Sequence, residues 1–339
     1  MKKRLLLVLL SIFIYCCLVF MGFAQEYPSR DINGVVSWGA GGGTDIVSRL
    51  SIPEASNYLG KTIIMTNMPG GSASIAHQYV YDRPEDGYTI LFSSEVPSIY
   101  PVLGISELTY DEFEQIYLFC NVASIIIVHK DSPYNTLDDL INDAKERPGK
   151  VTFSLAGVGG LPYVANLLLN KIYNGVDFAI VNYAGGDNEI IPAVMGGQLD
   201  VGIVATGSAV QHIKGGDLKG LAIVSNRSIS AMPDVPALGE LEPQAQGMLE
   251  ITGTFFGAHI KKGTPENIIE KLKEAFQRGY QDPKMQEFLE NSGYIPLGLS
   301  GDEARDWIKK WQSQTAWLIY DAGDAKESPE KFGIKRPVN

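Results

Sequence analysis

The chain has 339 residues, 45% hydrophobic and 20% charged, with 39 acidic against 28 basic side chains and a net charge of −11. That balance makes nucleic acid and anionic membrane surfaces poor candidates as partners, since both need clustered Lys and Arg. Three cysteines, two of them in the first 17 residues, exclude a disulfide framework and a cysteine metal site.

Met1 to Ala24 reads as a secretory signal peptide. Lys2, Lys3 and Arg4 give a basic start, Leu5 to Phe23 is apolar apart from Ser11, and Gly22 and Ala24 offer small residues for cleavage. The apolar run is long enough to span a bilayer, so an uncleaved anchor is the lesser reading. A lipoprotein attached at Cys16 or Cys17 ranks below plain secretion, because Phe13, Ile14 and Tyr15 supply no small residue beside the cysteine. Removal of this segment takes three cations and no acid, so the charge moves from −11 to −14 and Cys120 is the one cysteine left. About 315 residues remain, more than one core usually holds, which suggests two lobes.

Strand and helix patterns then alternate. Ile32–Val36 reads as a buried strand, Gly39 and Gly41 to Gly43 as a turn, and Ile46, Val47 and Leu50 as a helix face capped by Thr44 or Asp45. Thr62–Met65 is a strand ending in Asn67 to Ser72, and Ser74 to Arg83 is a helix. Thr89–Phe92 is a strand ending in Ser93 and Ser94. The β-rich run Ile116 to His129 is expected to cross between lobes.

Thr136 caps a helix, and Thr152–Ser154 leads into a second glycine turn, Ala156 to Gly160. Strand Phe178–Val181 leads into a third, Tyr183 to Asp187. Val201–Val204 runs into Ala205 to Ser208, and Thr254–Ala258 is expected to cross back. Helices follow to Ile319, with a charged tail after Asp321. Such alternation implies a mostly parallel sheet with helices on both faces.

One device recurs. Six strand ends carry Gly, Ser, Thr or Asn, three in the first half and three in the next. In open α/β sheets these ends share one edge, where ligands bind. A helix start there offers unpaired N–H groups and partial positive charge, so an anion is a natural guest. Two facing edges would form a cleft.

Catalytic signatures are missing. Gly60-Lys61-Thr62 resembles the end of a phosphate loop, but Ala55 stands where glycine is required. The four histidines have no metal-ligand spacing, and there is no Gly-x-Ser-x-Gly elbow. A secreted hydrolase using Ser72 or Ser208 is the weakest alternative. Trp38 either stacks on a ligand or closes the core. Asp45 and Asp187 either cap helices or touch the ligand.

The motifs in order resemble the solute-binding subunit of tripartite tricarboxylate transporters, the Bug family. They are Tyr27-Pro28, the glycine loop with Asp45 and Arg49, Asn67 to Gly70, and Pro84 to Leu91. Further on come Asp131 to Tyr134, Pro148 to Lys150, Tyr183 with Gly185-Gly186, and Gly196 to Asp200. The family's proline before the first glycine loop is replaced by Trp38-Gly39 here. Its second-lobe Gly-x-Gly-Ser becomes Gly157 to Gly160 with Tyr163.

The resemblance implies a two-lobed α/β fold of the type II periplasmic-binding-protein kind. One lobe takes 25–126 plus 252–339 and the other 127–251. It implies a cleft closing on a di- or tricarboxylate, no catalysis and no cofactor or metal. The partners implied are transporter membrane subunits; a second hypothesis, of another class, is a ligand sensor that docks to a membrane receptor, and the chain itself is expected as a monomer. The residues expected at the ligand are Trp38, Gly41, Gly42, Gly43, Thr44, Asp45, Pro69, Gly70, Ser72, Ser93 and Ser94 in the first lobe. In the second they are Ala156, Gly157, Val158, Gly159, Gly160, Tyr163, Tyr183, Gly185, Gly186, Asp187 and Thr206.

Overall fold

The structure, a computed structural model, describes residues 27–155, 159–183 and 186–337. The signal peptide expected over 1–24 lies outside the described residues, as do Ala156, Gly157, Val158 and Gly185. Among the described residues no helix is long and apolar enough to cross a membrane.

The chain opens with β1 (Ile32–Val36), α1 (Gly43–Leu59), β2 (Ile63–Asn67), α2 (Ser74–Tyr81) and β3 (Thr89–Ser93). It continues with β4 (Phe113–Val122), β5 (Ser124–His129), α3 (Leu137–Glu146), β6 (Thr152–Leu155) and α4 (Leu161–Ile172). Next come β7 (Ala179–Asn182), α5 (Asp187–Met195), β8 (Gly202–Ala205), α6 (Thr206–Lys214) and β9 (Leu218–Val224). It ends with β10 (Thr254–Lys261), α7 (Glu266–Gln281), α8 (Pro283–Asn291), β11 (Ile295–Leu299) and α9 (Gly301–Asp321).

These elements build a two-lobed α/β fold. The larger sheet has the order β11-β4-β10-β3-β1-β2. Its strands β1, β2 and β3 are parallel neighbours, with α1 and α2 supplying the crossovers that parallel pairing needs. In the second lobe β5 lies between β8 and β9, and β6 pairs with β7. A parallel bridge from Phe153 to Val201 joins the two sets. Direction is mostly shared: β1 to β4 run one way with β10 and β11 opposed, and β6 to β9 run together with β5 opposed.

The run expected as one crossing strand is two. β4 belongs to the first sheet and β5 to the second, and the chain changes sheets at Ala123. The return passes at Gly253, with φ +89°. A Cβ there would lie 2.2 Å from the Val122 carbonyl oxygen, so glycine alone lets the two crossings pass. Asn121 Nδ2 donates to the Thr252 carbonyl at 2.8 Å and Thr252 Oγ1 to the Val224 carbonyl at 3.0 Å, which fastens them together.

Burial follows the alternation. Val36, Ile90 and Phe92 are fully buried under α1 and α7, with Leu272 and Phe276 opposite. Each such side chain contributes about 1.5–3 kcal/mol. Trp311 and Trp317 on α9 join a core shared with Val164 and Leu168 of α4, so this last helix packs on both lobes. Thr136 caps α3 as the sequence signals, and Asp139 completes a reciprocal cap, with bonds of 3.1 and 2.9 Å.

Candidate functional site

In the first lobe the ends of β1, β2 and β3 share an edge, and their loops are tied to each other. Trp38 Nε1 donates to Ser94 Oγ at 2.8 Å. Asn67 Nδ2 donates to the Trp38 carbonyl at 3.0 Å and to Asp45 Oδ1 at 2.9 Å. The helix begins earlier than the sequence suggests: Gly42 is the N-cap, and neither Thr44 nor Asp45 holds that place. Asp45 instead reaches back from the first turn to accept the Gly41 N–H at 2.9 Å and the Arg49 Nε at 2.7 Å. Burial pushes its carboxyl up, but the Gly41, Asn67 and Arg49 donors outweigh this and hold it below its ordinary value. Asp45 is thus consumed in shaping the loop. Gly41 and Gly42 are left exposed, with Gly43 half-buried.

Ser94 is buried and faces Trp38, whereas Ser93 is turned inward to Ser37 Oγ and His77 Nε2, both at 2.9 Å. Pro69, Gly70 and Ser72 form an open rim, with the Ser72 carbonyl held by the Tyr100 hydroxyl.

In the second lobe the ends of β6, β7 and β8 share the facing edge. Gly159 is buried with φ +83°, and a Cβ there would meet Leu103 at 2.9 Å and Ile99 at 3.2 Å. This second-lobe turn therefore presses on the first lobe. Gly160 caps α4 with an extended backbone, and Gly186 caps α5. Tyr183 is half-buried and accepts the Gly186 N–H on its carbonyl at 3.1 Å. Asp187 accepts from Ser208 Oγ at 2.6 Å and the Ala205 N–H at 3.1 Å. Burial raises its carboxyl, and those two bonds offset only part of the rise.

Two expected residues point elsewhere. The Tyr163 hydroxyl donates to Asp324 in the tail beyond α9, and burial followed by that carboxylate pushes the phenol up. Thr206 is fully buried, with Oγ1 donating to the Gly293 carbonyl at 2.9 Å. Both act as clamps between segments.

Two residues the sequence did not reveal stand between the lobes. Tyr294 fills the space between the starts of α1 and α6. Its hydroxyl lies 3.2 Å from where a Gly43 Cβ would be and 2.9 Å from that of Gly207. Glu95 is 6% exposed and lines an interlobe cavity of about 10 Å³ with Gly159, Thr252 and Trp311. Burial raises its carboxyl to about 7. The only signal for Glu95 was its place directly after Ser93-Ser94. Tyr294 gave none, because it comes close through tertiary packing.

Chemically these edges offer N–H groups and hydroxyls. No group of three His, Cys, Asp or Glu able to hold a metal ion occurs among the described residues. Ser208 is engaged by Asp187 rather than a histidine, and Ser72 is exposed. His77 does meet Ser93, but both are fully buried, and desolvation holds the imidazole neutral, lowering it to about 3. Cys120 is buried and its thiol pushed up by desolvation.

Residues 47–323 match the family described as tripartite tricarboxylate transporter family receptor. Protein BugT of Bordetella pertussis is 26% identical over 307 residues, covering 88% of this chain and 91% of BugT. The UPF0065 protein in the gbd 5′ region of Cupriavidus necator is 27% identical over 308 residues, 89% of this chain and 90% of that one. The solved periplasmic binding protein BugD superposes with a TM-score of 0.75 at 29% identity, over 89% of this chain and all 100% of BugD. MatC from Rhodopseudomonas palustris, solved with bound malate, shares the fold with a TM-score of 0.70 at 24% identity, over 85% of this chain and 100% of MatC. With more than half the chain matched, two α/β lobes meeting at glycine-rich strand ends are accounted for: the protein belongs to the tripartite tricarboxylate transporter receptor family of periplasmic solute-binding proteins.

Proposed function

We propose that this chain captures a small di- or tricarboxylate between its lobes and delivers it to the membrane subunits of a tripartite transporter, without chemical change. The observation that carries this is the pair of facing strand-end edges, where α1, α4 and α5 all begin at glycine N-caps. Helix starts of this kind hold carboxylate oxygens with uncharged donors, which suits a chain of strongly negative charge. The lobes exchange at Ala123 and Gly253 in this reading, with closure about these crossings. The chain acts as a monomer, exported by cleavage of residues 1–24, and works without a cofactor.

Calorimetry with citrate, succinate, glutarate and aromatic carboxylates tests the reading. Binding of at least one, with a raised Tm, is expected. If no carboxylate binds or shifts the Tm, the reading fails.

A further inference from the structure

Glu95 stands in the wrong place for a site that takes only anions. Its side chain is more than nine-tenths buried and follows the β3 strand end, beside Ser94. It lines a cavity with Ser124, Gly159, Val164, Thr252 and Trp311, so walls come from both lobes and from the crossing between them. The polar atoms of those lining side chains, apart from the Trp311 indole, are carboxylate or hydroxyl oxygens, and no Lys, Arg or His is among them. The indole N–H is already used, donating to the Gly253 carbonyl at 2.7 Å. Thr254 Oγ1 donates to one carboxylate oxygen of Glu95. The titratable groups near Glu95 are the phenols of Tyr100 and Tyr110, which its charge pushes further up and which therefore stay neutral.

The volume of about 10 Å³ fits a single water-sized group, and a primary ammonium is that size. Leu161, Val164, Ala165, Leu168 and Val224 make most of the wall apolar, and a hollow of this size with one acid and no cation disfavours a second carboxylate and favours a compact cationic donor that Glu95 can pair. We propose that the Glu95 cavity is a subsite for a protonated amine, so that the preferred ligand is a carboxylate also bearing an ammonium group. This rests on the carboxylate-receptor reading and narrows it. The N–H groups of the helix starts take the carboxylate end, and Glu95, Ser124 and Thr252 take the nitrogen. The raised carboxyl of free Glu95 agrees: an ammonium neighbour would supply the charge the site lacks.

The test is calorimetry with matched pairs, succinate against aspartate and glutarate against glutamate, plus N-acetylaspartate, on the full mature chain and on Glu95→Gln. The wild type is expected to favour the aminated member of a pair about ten-fold or more, and N-acetylation to remove the gain. Glu95→Gln is expected to erase the preference, so that both members of each pair bind alike. The N-acetyl arm needs no variant, so a folding defect in Glu95→Gln does not blunt the test. Equal binding within each pair by the wild type, or a preference that survives Glu95→Gln, overturns the proposal and leaves the receptor reading standing. If no carboxylate binds at all, the receptor reading falls, and this proposal with it.

Discussion

The Trp38 indole donates its N–H to the Ser94 hydroxyl at 2.8 Å, so the loop after β1 is locked to the loop after β3. Trp38→Phe keeps an aromatic ring, smaller than the indole, and removes that bond. The expected cost is about 1 kcal/mol in urea unfolding, with a several-fold weaker ligand as the loops loosen. Calorimetry beside the unfolding curve checks it. An affinity that does not move would mean that Trp38 only closes the core beneath the loop.

Asp45 is held by three donors, the Gly41 N–H, the Asn67 amide and the Arg49 guanidinium. Asp45→Asn forfeits the charge-assisted share of these bonds and is expected to destabilise by about 2 kcal/mol. The carboxyl is lowered in the folded chain, so its contribution is present above its unfolded value of 3.8 and is lost as pH falls through the folded value. The gap between wild type and variant should therefore close in acid. A gap that persists at pH 2 would place the role of Asp45 in shape alone.

Glu95 has the opposite sign. Its folded value is raised to about 7 from 4.5, so between those limits the folded chain holds a proton that the unfolded chain has lost. Stability therefore falls as pH climbs through this window, by about 3 kcal/mol in all. Glu95→Gln should gain on the wild type steadily from pH 4.5 to 7 and hold the gain above. Unfolding curves at half-unit steps check this. A flat difference would mean that the carboxyl is not desolvated in solution.

Gly207 has no room for a side chain: a Cβ would lie 2.3 Å from the Tyr294 ring. Gly207→Ala is expected to cost about 1–3 kcal/mol, and Tyr294→Leu in the same chain to recover most of it. A double-mutant cycle measures the coupling. Additive losses would show that Tyr294 and the start of α6 do not press on each other.

Much of this architecture is legible in the residues, because short apolar strands followed by glycine turns and amphipathic helices leave few ways to fold. The Thr136 cap was readable for the same reason: it acts within one turn, where the structure adds Asp139 as its reciprocal partner. Ala123 was not, since Ile116 to His129 reads as one β-rich run, and Asn121 and Ser124 beside it do not by themselves mark a change of sheet when both sides are buried. The candidate site has a rim of local sequence features and an interior built by distant contacts. Trp38 and Gly41 to Gly43 are local features of one turn. Whether Tyr163 faces the loops or Asp324 depends on contacts 161 residues apart. Tyr294 and Glu95 matter through neighbours that meet only once the chain is folded.

Helix α9 runs over both lobes, Trp311 donates to Gly253 at one crossing, and Asp324 just beyond it receives the Tyr163 hydroxyl from the far lobe. Under the proposed capture between lobes, a strap of this kind would limit how far the jaws gape: wide opening would first have to tear Tyr163 from Asp324, making entry a narrow, restrained yawn rather than a free swing.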